Sequence, residues 1–308
     1  MTIPERLKRQ AGRYALVDGI PFRLPVSGTR SPALMAMFTI DLDEATRLMP
    51  GNEIHPFRLW NKAVLIITVV DYRVTVIGKY VEFSVAIACT HGPKPAPPLL
   101  PALLMGRYGT GQYVHDLPVS SEVSVKGGKG IWGMPKHQAN LDFLIRERMV
   151  SSQYDLDGQM VLRIEIERPK MTWLPINMGA INYCAFRGML MKSSIYFKGS
   201  LGMSLFKKAA ARLVLGDHPR VAALRRLNIG GPFFTAFFPG ITGDLDDHYE
   251  SWFLSYDTPP ATRPEGMESV VNLGLSEAWL PPPDDPYLKG SEEDSKGALV
   301  DEANPANR

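Results

Sequence analysis

The run Val81-Glu-Phe-Ser-Val-Ala-Ile-Ala-Cys-Thr90 alternates with a period of two: Val81, Phe83, Val85 and Ile87 fall on one side, Glu82, Ser84, Ala86 and Ala88 on the other. Successive side chains of a strand point to opposite faces, so this pattern is a strand with one bulky apolar face and one face of small residues around a carboxylate. Small neighbours leave a concavity beside Glu82, where a plain solvent face more often carries Lys, Arg or Thr. On the residues alone, an edge-strand glutamate facing water has about equal weight.

Outward from that strand, the signals on both sides are also β. Residues 63–73 are rich in Val, Ile and Thr, and further strand-like runs cover 119–126, 138–146 and 160–167, with a turn at Asp155-Leu-Asp157-Gly158 between the last two. Strands this close together, with few intervening helices, predict an α+β chain dominated by antiparallel sheet, curved or closed into a barrel, rather than βαβ units. Two places read as helical. Asp41-Leu-Asp-Glu44 resembles a capping box ahead of 45–49. Residues 200–215 place Leu201, Leu205, Ala209 and Leu213 at helical spacing, and with 219–227 they predict a helical insertion. Gly92-Pro-Lys-Pro-Ala-Pro-Pro-Leu-Leu-Pro101 holds five prolines and predicts a semi-rigid surface loop or lid. Residues 1–280 thus read as a single domain. Residues 281–308, with seven acids against three bases and almost no large apolar residue, predict a disordered acidic tail.

Composition narrows the function classes. Of 308 residues 45% are hydrophobic and 21% charged, which excludes global disorder; a net charge of +2 with no basic run argues against a nucleic-acid partner. The longest apolar run, 63–70, has strand length and is far short of a membrane span, and the charged N-terminus lacks a signal-peptide core. A soluble, cytoplasmic protein is expected. Two cysteines without a CxxC, six scattered histidines and the absence of HExxH, GxSxG and P-loop spacings leave no metal centre or nucleotide site in view; Asp244, Asp246, Asp247 and His248 read as solvated turn residues.

One segment carries chemistry: Val125-Lys-Gly-Gly-Lys-Gly-Ile-Trp-Gly-Met-Pro-Lys-His137. Lys136 follows a proline, adjoins a histidine and is flanked by Trp132 and Met134. Apolar surroundings strip solvation from an ammonium and so favour the neutral amine. A neutral amine near pH 7 is what Schiff-base chemistry with a carbonyl requires. Read alone, a lysine after proline is more often a surface turn residue.

Trp132-Gly-Met-Pro-Lys-His137 resembles the signature of the acetoacetate decarboxylase family: a glycine-rich approach, an aromatic or apolar residue, Pro-Lys, and a second, usually basic, residue. Gly78-Lys-Tyr-Val-Glu-Phe-Ser84 is similar to the family's strand bearing an acidic active-site residue, and Arg30 precedes 39–50 much as the family's early arginine precedes a short helix ending in proline. The resemblance implies Lys136 as the Schiff-base lysine, Glu82 and His137 as catalytic partners, and Arg30, Trp132 and Met134 at the substrate. Activation of the lysine by a neighbouring cation is the family's own device. Two departures stand out: His137 occupies the place of a second lysine, and Gly130 stands where decarboxylases commonly have an acid. The implied activity is a carbon–carbon lyase, decarboxylating a small β-keto acid without metal or organic cofactor, in a homo-oligomer. Alternatives are a Schiff-base aldolase or dehydratase on another keto acid, and a non-catalytic protein that binds a carboxylate ligand. Phe233, Phe234, Phe237 and Phe238 suit core packing first, and otherwise a subunit contact or a cavity wall.

Overall fold

The structure, a computed structural model, describes residues 4–9, 11–246 and 248–257. Seven strands make its frame: β1 (Val26–Asp41), β2 (Lys62–Tyr72), β3 (Tyr80–His91), β4 (Gly111–Val119), β5 (Leu174–Phe186), β6 (Met189–Leu205) and β7 (Pro232–Leu245). They pair in the order β3-β2-β1-β7-β6-β5-β4, and β4 pairs back onto β3, so the sheet closes into a barrel. Six junctions are antiparallel. The seventh, β4–β5, is parallel and joins only Gln112 to Asn182 and Tyr113 to Tyr183.

The alternation in β3 sorts the two faces as its sequence requires. Phe83, Val85 and Ile87 are fully buried outside the ring with Leu34, Phe38, Leu65 and Ile67, packed against the hairpin Met149–Leu156 and Gln159–Glu167 through Val150, Tyr154, Leu162 and Ile164. Its two-residue loop, Asp157-Gly158, has positive φ at both positions (52° and 75°), as a tight hairpin turn demands. On the opposite face Glu82 and Ser84 point into the barrel and line a cavity. The bulky face buries the core and the small face leaves the space.

Local signals account for the helices. Asp41 caps α1 (Leu42–Arg47), its carboxylate accepting from the amides of Asp43 and Glu44, both at 3.1 Å. Residues 119–126, expected as a strand, instead leave β4 at Val119 and enter α2 (Glu122–Trp132), because the Ser121 hydroxyl accepts from the Ser124 amide and starts a helix. Of residues 138–146, Gln138 ends a short strand on β4 and the rest form only two-residue strands, Asn140–Leu141 and Leu144–Ile145, that edge the hairpin sheet.

The helix expected over 200–215 is a correction. Through Leu205 the chain is β6, held between β5 and β7, and after a single 3-10 turn (Lys208–Ala210) it continues as the strand Ala211–Leu215 on the hairpin sheet. Leu205 and Ala209, which a helix would bury with Leu201, are exposed. Ladder partners on β5, then β7, then the hairpin outweigh a helical spacing. A β carbon on Gly202 would lie 2.1 Å from the Met171 carbonyl, so the chain packs there only with glycine. Within 219–227 the expected helix is present as Pro219–Val221 and Ala222–Arg226. The Pro-rich loop forms no strand, with one short helix at Leu100–Leu103. The expected acidic tail, 281–308, lies outside the described residues. No described helix is long and apolar enough to cross a membrane.

Candidate active site

The lysine segment is built by the end of α2. Gly133 closes the helix at φ 62°, its amide returning to Lys129 and that of Met134 to Gly128, a glycine stop followed at once by Pro135. A side chain at Gly133 would also meet Met191 Sδ at 2.4 Å. The chain then turns into the short strand Lys136–Gln138, which pairs in parallel with β4 so that Lys136 sits beside Leu117. Alternation from there sends Lys136 into the barrel and His137 out of it.

Lys136 is 5% exposed. Its Nζ lies 2.6 Å from Glu82 Oε2 and donates to Ser124 Oγ at 3.0 Å, with the Tyr80 ring centroid 5.6 Å away. Space for the lysine stem comes from α2: a β carbon at Gly128 would stand 2.4 Å from Lys136 Cδ. Gly127 and Gly130 admit Phe22 and Val17 in the same way. The glycine run is therefore a helix face planed down for packing, although each interior glycine costs a helix about 1 kcal/mol.

Tyr72 and Tyr80 stack beside the pair, ring centroids 4.6 Å apart. Burial, then the charge of Glu82, pushes both phenols well up from their ordinary range, and Tyr72 also donates a hydrogen bond to Glu82. Both stay protonated donors. The cavity around these groups holds about 170 Å³ and is otherwise mostly apolar. Among its described lining residues Lys136 is the only cation and Glu82 the only anion; Gln112 and Asn182 supply an amide pair, joined at 2.8 Å.

The sequence-derived candidates separate accordingly. Lys136, Glu82 and Met134 meet at the cavity. Trp132 does not line it: the indole is buried against Leu24, Leu117 and Cys184, with Nε1 donating to the Asp246 carbonyl at 2.6 Å. Arg30 is exposed, at φ 53° where the β1–β7 register slips, and lies outside the lining. His137, expected to act beside the amine, faces the other way. Its Nε2 is 2.8 Å from the Tyr154 hydroxyl and its Nδ1 3.4 Å from Asp116, whose carboxylate also accepts from Arg220 at 2.9 Å. Burial, followed by the Arg220 charge, lowers the imidazole to about 4. Of the four phenylalanines, Phe237 is in the core and Phe238 in the cavity wall.

Sequence reasoning passed over Ser124, Tyr72 and Tyr80. Tyr80 precedes Glu82 by two residues on the same strand face, so period two pointed to it. Ser124 lies one helical turn before Gly128, a small-residue face visible only once the segment is read as a helix.

A family model for acetoacetate decarboxylase matches residues 10–175. No curated protein sequence matches the chain. Among solved structures, an acetoacetate decarboxylase is 14% identical with a TM-score of 0.56, covering 75% of this chain and 91% of its own. The acetoacetate decarboxylase of Legionella pneumophila is 12% identical with a TM-score of 0.55, covering 82% of this chain and 92% of its own. The enduracididine biosynthesis enzyme MppR, complexed with the condensation product of pyruvate and imidazole 4-carboxaldehyde, is 12% identical with a TM-score of 0.54, covering 75% and 90%.

Proposed function

The chain belongs to the acetoacetate decarboxylase family, and from that premise we propose that it is a Schiff-base lyase that decarboxylates a small β-keto acid. One observation carries the reading: the Pro-Lys lysine, Lys136, is buried in an apolar barrel cavity with its Nζ 2.6 Å from a single carboxylate, Glu82. A buried ion pair of this kind is a poor device for stability, since two hydrophobic residues of the same volume commonly serve as well or better. It is a good device for moving one proton to and from an amine.

In the proposed sequence Glu82 accepts the ammonium proton, and the neutral Nζ adds to the ketone carbon. Glu82 returns the proton to the carbinolamine hydroxyl, which leaves as water and generates the iminium. The C–C bond to the carboxylate then breaks, CO₂ departs, and its electron pair enters the iminium to give an enamine. Protonation at carbon and hydrolysis by water release the ketone and free the lysine. The protonated imine is the electron sink, so no step calls for a metal or organic cofactor. Tyr72 orients Glu82 through its hydrogen bond, and Ser124 fixes the amine. Arg30 has no place at the substrate in this reading, and His137 acts on Lys136 only through the strand that both occupy. Assembly into homo-oligomers is part of the proposal.

A second reading keeps the imine and changes the bond that breaks, giving aldol or dehydration chemistry. The likeness to MppR with its pyruvate condensation product is what favours it. The test is incubation with acetoacetate or pyruvate, borohydride reduction, intact-mass spectrometry and peptide mapping, with headspace CO₂ measured in parallel. An adduct on Lys136 with CO₂ release is expected for acetoacetate, and Lys136→Ala should lose both. An adduct without CO₂ moves the chain to the second reading. No adduct with either acid leaves a protein that binds carboxylates without catalysis.

A further inference from the structure

The wall facing the lysine decides which keto acids the cavity holds; the inference rests on the imine reading above. In the ring of seven, the β3–β4 junction that brings Glu82 and Lys136 together has β7 directly across from it, three strands away in either direction. That far side, β7 with its neighbours β1 and β6, places Met35, Ile195, Phe197, Phe238 and Ile241 in the lining, and its hydroxyls, Ser27 and Ser31 of β1, already donate to the Asp244 carboxylate and the Thr29 carbonyl. None of the five apolar side chains offers a charge or a hydrogen-bonding N or O, and the two serines offer no charge and no free hydroxyl proton. At the near side the lone cation and lone anion of the described lining already neutralise each other. A carboxylate carried to the far wall would be buried without a positive charge to meet it, which is strongly unfavourable, whereas an alkyl group there is removed from water at a gain. The space, about 170 Å³, exceeds the ~150 Å³ that admits benzene, a ligand with as many heavy atoms as acetoacetate keeps once its ketone oxygen has left as water, so some room remains beyond acetoacetate.

We propose that the site selects β-keto monoacids whose ketone bears a short apolar alkyl group, of about six carbons in all, over acetoacetate, and that it rejects keto diacids. With the ketone carbon at Lys136, the alkyl group lies against β7. The carboxylate stays at the near end, where the iminium is the only positive charge it meets.

The full chain is assayed with acetoacetate, 3-oxopentanoate, 3-oxohexanoate and 3-oxoglutarate, following CO₂ above the spontaneous rate. Parallel samples are reduced with borohydride and weighed. The expected result is a rise in kcat/KM of roughly fifteenfold from four to six carbons, as two further buried methylenes warrant, with 3-oxoglutarate about a hundredfold or more below 3-oxopentanoate, the monoacid of equal length. A flat or falling series, or a diacid used as well as its matched monoacid, overturns the proposal and leaves the imine chemistry standing. Adducts without CO₂ remove the decarboxylase reading alone, and the ranking of adduct yields then decides the selectivity. Absence of any adduct overturns the imine reading and the selectivity together.

Discussion

Glu82 is the residue on which the proposed chemistry and the packing make different demands. As a mere counter-ion it would be replaceable by any group that keeps Lys136 comfortable; as the proton carrier it would not. Glu82→Gln keeps the shape and removes the basicity, and kcat is expected to fall by about 10²-fold or more, the range a positioned acid–base group supplies. Steady-state turnover of a β-keto acid checks this, and an unchanged kcat would reduce Glu82 to a structural partner. Residues of this kind were legible where a local rule fixed their direction. Period two aimed Glu82 at the concave face, and the Pro-Lys signature singled out Lys136. Arg30, Trp132 and His137 lie outside the cavity lining, each having been placed by nearness in sequence to a motif. Direction in space depends instead on a register slip for Arg30, on helix phase for Trp132 and on strand alternation for His137.

At the scale of the element, α2 is the part whose sequence misled most and explains most. The strand-like run 119–126 ends β4 at Val119 and hides a helix that only the Ser121 cap announces. The glycines of α2 fit no P-loop spacing and are cut-outs for Lys136, Phe22 and Val17. Gly128→Ala puts two effects in opposition. Alanine is worth about 1 kcal/mol more than glycine in a helix interior, yet its β carbon would sit 2.4 Å from Lys136 Cδ. The aliphatic stem must shift, so the amine leaves its position against Glu82 and Ser124. Borohydride-trapped adduct should fall at least tenfold while the melting temperature changes by only a few degrees; full adduct yield would show that the lysine has room to spare. The strand Ala211–Leu215 taught the converse lesson, since Leu213 fits a helical spacing as well as a strand's, and only the neighbouring ladder of Gln159–Glu167 decides.

For the whole molecule, stability should depend on pH through histidines held neutral by burial. His137 has its imidazole lowered to about 4, and His115 and His91 are lowered as well. An unfolded histidine takes up its proton near ~6.5, so on acidification the unfolded state binds protons before the folded one. Stability from this source is whole above pH ~6.5 and is lost progressively as the pH falls toward about 4. Melting temperatures across that window should decline, and His137→Gln should flatten the decline; an equal slope in both proteins would place the effect elsewhere. The β class, a sheet curved or closed into a barrel, and its inner and outer faces were readable from strand spacing and alternation, whereas the strands that meet at the closure were not, because no local pattern records which edges pair. That closure has a consequence in simple arithmetic. Compass needles set in a circle can all oppose their neighbours only if their number is even. Seven strands leave one mismatch to be absorbed, and this chain absorbs it between β4 and β5, in a parallel contact of two residue pairs. Beyond Tyr183 and Asn182 the wall is stitched on one side only. Parity, rather than any lid or loop, thus gives the vessel its thinnest seam, and sets that seam beside the Gln112–Asn182 amides at the edge of the cavity.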